Sequence, residues 1–79
     1  MANQRTREEK ELLRRFGDHL RTLRISRGIT QEALAEDAGF SRSYYTEIET
    51  GKRNVSLLNL RKIAKALKTG LGEIVDIEL

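Results

Sequence analysis

Arg42, Ser43, Thr46 and Glu47 are separated by three and four residues in the run RSYYTEIE, a spacing that gathers them on one side of a helix. Their chemistry is hydrogen bonding rather than bond making. A guanidinium can form two hydrogen bonds to guanine O6 and N7, and a hydroxyl serves several base edges or a phosphate. A carboxylate accepts from cytosine N4 or turns the wrong sequence away. Just beyond the run stand Lys52, Arg53 and Asn54, suited to phosphate oxygens, contacts that fix register without reading sequence. On the other flank, Gln31 and the first-turn N–H groups that follow Thr30 are placed to meet phosphates as well.

Bond-making chemistry has no comparable set. The chain has no cysteine, which excludes a disulfide framework, a thiolate metal site and a cysteine nucleophile. His19 is the one histidine, and a zinc site needs three or four protein ligands, so it is expected as a surface side chain. No serine, threonine or carboxylate falls into a nucleophile, base and orienter pattern. The expectation is a protein that is not an enzyme and uses no metal or cofactor.

The polar residues need helices to hold them. Leu13, Phe16, Leu20 and Leu23 recur at spacings of three and four, predicting an amphipathic first helix from about Glu8 to Arg27, closed at Gly28. Thr30 is a good N-cap for a second helix over residues 31–38, which Gly39 ends. Ser41 caps a third from Arg42 to about Thr50, with Tyr45 and Ile48 turned inward and Gly51 as its stop. Ser56 opens a fourth, whose apolar stripe is Leu57, Leu60, Ile63, Ala64 and Leu67. Leu71, Ile74 and Val75 make a short fifth turn, weakened by Gly70 and Gly72. Two short helices around a glycine turn, flanked by further helices, form the scaffold that sets one exposed helix in the DNA major groove.

Charge is distributed in blocks. The net charge of +3 hides a basic first thirty residues, an acidic stretch over 31–51, and a run over 52–68 that carries Lys52, Arg53, Arg61, Lys62, Lys65 and Lys68 without an acid. The acidic stretch is compatible with DNA if Glu32, Glu36 and Asp37 face away from the duplex. The basic N-terminal run RTREEKELLRR reads as a frayed extension of the first helix rather than a minor-groove arm. Without an apolar span or a leader-like N-terminus, a cytoplasmic location is expected. VDIEL at the C-terminus alternates apolar and polar residues like a strand. It either frays or pairs with the same segment of a second subunit, fraying being the commoner fate of a terminus.

The stretches FGDHLRTLR, GITQEALAEDAGFSRSYYTEIETGKRNVS and LRKIAKAL resemble the Cro/repressor-like helix-turn-helix regulators, the XRE family, over about residues 13–75. The run RSYYTEIETGKRNVSLLNL is most similar to the small controller proteins of restriction-modification systems. The resemblance implies an all-α, five-helix, lambda-repressor-like domain with the helix-turn-helix at about 30–50; one domain over 1–79 with flexible ends at 1–7 and 76–79 is expected. It implies a homodimer on a two-fold operator in double-stranded DNA, blocking or recruiting RNA polymerase. Position by position it puts Arg42, Ser43, Thr46 and Glu47 at or beside bases, and Thr30, Gln31, Lys52, Arg53 and Asn54 on the backbone. Tyr44 then touches a phosphate or a thymine methyl. The same resemblance pairs Arg24 with Glu49 as a partly buried scaffold bond.

Three departures from the family pattern concern the core and the end of the domain. Tyr45 stands where Ile or Val is usual, Val55 where Pro is common, and Gly70 and Gly72 where a cap and a helix former open the last helix. The candidate dimer residues lie in that last part: Leu71, Ile74, Val75, Ile77 and Leu79. Ile25 is expected to be exposed, and Phe40 to plug the turn between helices two and three. The rival function is an antitoxin-like interaction module that neutralises a protein partner. A sequence-neutral nucleic-acid binder is disfavoured by the modest net charge.

Overall fold

Four hydroxyls open four helices. In the computed structural model, which describes residues 4–78, Thr6, Thr30, Ser41 and Ser56 stand in extended backbone, and each accepts from the N–H three residues on at 3.0–3.1 Å. They start α1 (Arg7–Ser26), α2 (Gln31–Ala38), α3 (Arg42–Glu49) and α4 (Leu57–Leu67). A fifth helix, α5 (Leu71–Ile74), begins after Gly70 without a side-chain cap, and is correspondingly one turn long. No strand occurs among the described residues.

The N-terminal run is helix rather than fray. Thr6 and Glu9 form a capping box, with the Thr6 N–H donating to Glu9 Oε1 at 2.8 Å and the Glu9 N–H returning to Thr6 Oγ1 at 3.1 Å. Arg14 and Arg15 pair with Glu11 one turn back, and Arg14 also with Asp18. Those guanidiniums hold the Glu11 carboxyl down at about 2. The alternation of five cations and three acids in RTREEKELLRR thus stabilises α1 itself.

The core collects one face of every helix: Phe16 and Leu20, Leu34, Ala35 and Ala38, Tyr45 and Ile48, Ile63, Ala64 and Leu67, and Ile74. α1 packs on α3 and α5, and α2 on α3 and α4. The α1–α3 crossing is closed by Gly17, where a Cβ would stand 2.8 Å from the Ile48 carbonyl oxygen and nearer still to that of Glu49. Gly51, which turns the chain out of α3 at φ +79°, has Arg14 Cα where its own Cβ would meet it at 2.9 Å. Both glycines allow helices to approach where no side chain fits.

The C-terminal end departs most from expectation. Residues 76–78 form no strand; Ile77 packs against the core and the Glu78 carbonyl accepts from Arg15 at 3.4 Å. Of the apolar residues of VDIEL that are described, Ile77 packs against the core while Val75 is 43% exposed, so the alternation here marks neither a ladder nor one buried side. Ile74 is 0% exposed inside a single protomer, which removes it from the candidate dimer residues. Leu79 lies outside the described residues. His19, expected at the surface, is half-buried with Nε2 2.8 Å from the Glu73 carbonyl oxygen, tying α1 to α5. Phe40 seats itself between α2 and α3 as expected, its ring edge-on to Tyr44 at 5.0 Å, and Ile25 is exposed.

Candidate nucleic-acid interface

The two sides of α3 have opposite jobs. Tyr45, Ile48 and Glu49 are buried, while Arg42 and Ser43 are exposed and Thr46 and Glu47 half-exposed. Those last four line one shallow depression on the outer face of the helix, the juxtaposition that the three-and-four spacing predicts. The Arg42 side chain is 66% exposed. Its nearest carboxylate is Glu32, 4.0 Å away with both side chains largely exposed, so Glu32 stands beside the outer face of α3. So loose a pair exchanges readily for other acceptors.

Beneath the face runs a buried polar network that fixes it to the scaffold. Arg24 Nε donates to Glu49 Oε2 at 2.6 Å and Arg24 Nη2 to Glu49 Oε1 at 3.2 Å. Arg24 Nη1 donates to the Ile29 carbonyl at 2.8 Å, so α1, α3 and the turn before α2 meet at one guanidinium. Tyr45 donates its hydroxyl proton to Glu49 Oε2 at 2.5 Å, and Gln31 Nε2 donates to Glu49 Oε1 at 2.9 Å. Thr46 Oγ1 then donates to Gln31 Oε1 at 3.2 Å, which brings the network out to the exposed face of α3. Burial by itself would raise the Glu49 carboxyl, but hydrogen bonds from Arg24, Tyr45 and Gln31 outweigh it and hold the group below the usual carboxylate range. Burial, then the Glu49 carboxylate, push the Tyr45 phenol far up. No buried side-chain polar atom lacks a partner among the described residues.

Tyr45 explains its own departure from an aliphatic residue. The ring is 0% exposed, and its hydroxyl reaches the ion pair that an Ile or Val would leave with one donor fewer. Gln31 and Thr46, placed on phosphate and base by sequence, are thereby oriented from below. The sequence signalled this only through the odd residue at 45.

Lys52, Arg53 and Asn54 do not form one cluster. Arg53 folds back over α3, with Nε donating to Glu47 Oε1 at 2.7 Å and its guanidinium carbon 5.4 Å from the Tyr44 ring centroid. Asn54 borders an apolar groove with Leu12, Leu13 and Val55 on the α1 side, and Lys52 is exposed. Tyr44 is half-buried, and its hydroxyl accepts from Asn59 Nδ2 of α4 at 3.0 Å. Asn59 gave no signal in the sequence, since its role depends on α4 passing Tyr44. Thr30 commits its hydroxyl to capping α2, beside Gln31, Glu32 and Arg42 around a second depression. No group of histidine and carboxylate residues able to hold a metal occurs among the described residues, and no described helix is long and apolar enough to cross a membrane.

This geometry has close relatives. A family described as helix-turn-helix matches residues 20–74. Control protein C.MunI of Mycoplasma sp is 47% identical over 66 residues, spanning 81% of this chain and 89% of its own length. Control protein C.BamHI of Bacillus amyloliquefaciens is 42% identical over 62 residues, 77% of this chain and 76% of that protein. The crystal structure of the restriction-modification controller protein C.AhdI from Aeromonas hydrophila matches with a TM-score of 0.76 at 45% identity, covering 81% of this chain and 96% of that one.

Proposed function

We propose, from the premise that the chain belongs to the helix-turn-helix family of DNA-binding transcription regulators, that it is the controller protein of a restriction-modification system. It acts as a homodimer on a two-fold symmetric operator. The observation that carries the proposal is the division of α3, whose inner side is consumed by the core while Arg42, Ser43, Thr46 and Glu47 converge on one outer depression. Such a helix can enter a major groove without disturbing the fold that holds it.

The roles follow from chemistry. Arg42, at the N-terminal end of α3 and highly exposed, reads guanine through two hydrogen bonds; Ser43 and Thr46 meet base edges or a phosphate beside it. The first-turn N–H groups of α2 after Thr30, the Gln31 amide and Lys52 meet phosphates on the flanks. Two α3 helices about 34 Å apart would then face successive major grooves. Bound protein blocks or recruits RNA polymerase at the promoter it covers. For the dimer face, Val75 remains available from the C-terminal set at 43% exposure. Leu57 and Leu58 at the start of α4, 66% and 73% exposed, add apolar surface that a lone protomer leaves in water.

The test is selection of bound sites from a random duplex library at two salt concentrations. A symmetric motif with half-sites one helical turn apart, surviving the higher salt, is the expected result. Arg42→Ala should then lose about 1–3 kcal/mol on that site and relax the preference at one position. Absence of any enriched motif, with binding lost as salt rises, would overturn the proposal.

A further inference from the structure

Glu47 and Arg53 meet across the turn that ends α3. The turn is well determined: the Gly51 N–H donates to the Ile48 carbonyl at 3.1 Å, the Lys52 N–H to the Glu47 carbonyl at 2.8 Å, and Gly51 is seated against Arg14. Arg53 leaves this turn pointing back along α3, its Nε 2.7 Å from Glu47 Oε1 and its guanidinium over the Tyr44 ring. The ring is itself held in place, with Phe40 edge-on against it and Asn59 donating to its hydroxyl at 3.0 Å.

The pair is a poor stabiliser of the fold. Its side chains are 51% and 40% exposed, and ion pairs at that exposure add little to stability. Its placement is informative in another way: Glu47 shares the reading depression with Arg42, Ser43 and Thr46. A carboxylate there repels the phosphates that the surrounding cations attract. It also occupies Arg53 with the same kind of oxygen acceptor that a phosphate would offer.

We infer that Glu47 is an intramolecular stand-in for a DNA phosphate, a specificity-determining residue that acts through Arg53. The inference rests on the DNA-binding function proposed above. On duplex of the wrong sequence, Arg53 stays on Glu47 and makes no backbone contact. On the operator, the Glu47 carboxylate transfers to a base-edge donor such as cytosine N4, and Arg53 is released to a DNA acceptor while Tyr44 continues to support its plane. Sequence-neutral binding is thereby held down, and the one exchange is available only where the matching base is present.

Simple repulsion by Glu47 would also weaken random binding, so the test must separate the two. Wild type, Glu47→Gln, Arg53→Gln and the double variant are titrated against a labelled random duplex by fluorescence anisotropy over a series of salt concentrations. Glu47→Gln is expected to tighten random-duplex binding by about tenfold at low salt, and to steepen the salt slope by about one counterion. In the Arg53→Gln background the same substitution should change affinity by less than about twofold, a coupling that only a shared contact produces. Equal tightening in both backgrounds, or none in either, overturns the inference while wild-type binding preserves the DNA-binding function. Failure of the wild type to bind any duplex overturns both. Unchanged thermal unfolding of the four proteins, expected for exposed side chains, confirms that affinity is what changed.

Discussion

Glu49→Leu is the substitution whose consequences the structure specifies most closely. The Glu49 carboxylate takes two hydrogen bonds from Arg24, one from Tyr45 and one from Gln31. Its removal leaves a guanidinium that is only 10% exposed without its counter-charge, at a cost of about 3–5 kcal/mol. For a domain this small, that is a large part of a total of about 5–15 kcal/mol. Replacing both partners, as Arg24→Met with Glu49→Leu, removes the stranded charge, and for an isolated buried pair it would be nearly neutral. Here it is not neutral, because the Tyr45 hydroxyl is buried in a fully covered ring and loses its acceptor, a deficit of about 1–3 kcal/mol. Gln31 is half-exposed and can turn to water. Adding Tyr45→Phe should therefore recover most of what the double variant lacks. Urea unfolding followed by far-UV circular dichroism, at one protein concentration and in the cold, gives the three stabilities. The reasoning is refuted if the double variant is as unstable as Glu49→Leu, or if Tyr45→Phe in that background gives no recovery.

Other outcomes follow from single contacts. Gly17→Ala gains about 1 kcal/mol of helix propensity but sets a methyl against the Glu49 and Ile48 carbonyls, backbone atoms that cannot rotate away; a net loss of about 1–3 kcal/mol in urea is expected. Lys68 is the one non-glycine described residue with positive φ, at 57°, closing α4 in left-handed backbone; Lys68→Gly should raise the thermal midpoint, by up to about 1 kcal/mol in stability. The depressed Glu49 carboxyl contributes stability that is full above its ordinary pKa of 4.5 and lost as pH falls through the lower folded value. Acid titration of wild type should accordingly show a decline starting below about pH 4.5 that is much shallower in the Arg24→Met, Glu49→Leu, Tyr45→Phe variant.

Most helix boundaries and the outer face of α3 were legible because their signals are local. A hydroxyl at Thr30, Ser41 or Ser56 caps the helix that follows it, Gly39 and Gly51 stop what precedes them, and residues three or four apart share a face whatever the rest of the chain does. The family pattern added the pairing of Arg24 with Glu49, 25 residues apart, which no local signal contains. Even so, local signals misjudged the ends. The cap at Thr6 depends on Glu9 reaching back to it, and a basic run that looked loose is a helix. Alternation in VDIEL suggested a strand, but Ile77 alone of its described apolar residues packs against the core and Val75 stays exposed.

The sequence by itself determined where α2, α3 and α4 start and which four side chains of α3 face outward, since both depend on neighbours within one turn. Tertiary structure decided which groups from separate helices meet beyond the pair of Arg24 with Glu49. Gln31 became a donor to the buried Glu49 carboxylate, Asn59 a donor to the Tyr44 hydroxyl, and Ile74 core rather than contact surface, because the helices cross where Gly17 and Gly51 let them. Those crossings bring together residues from distant parts of the chain, and no spacing along the sequence encodes such a distance.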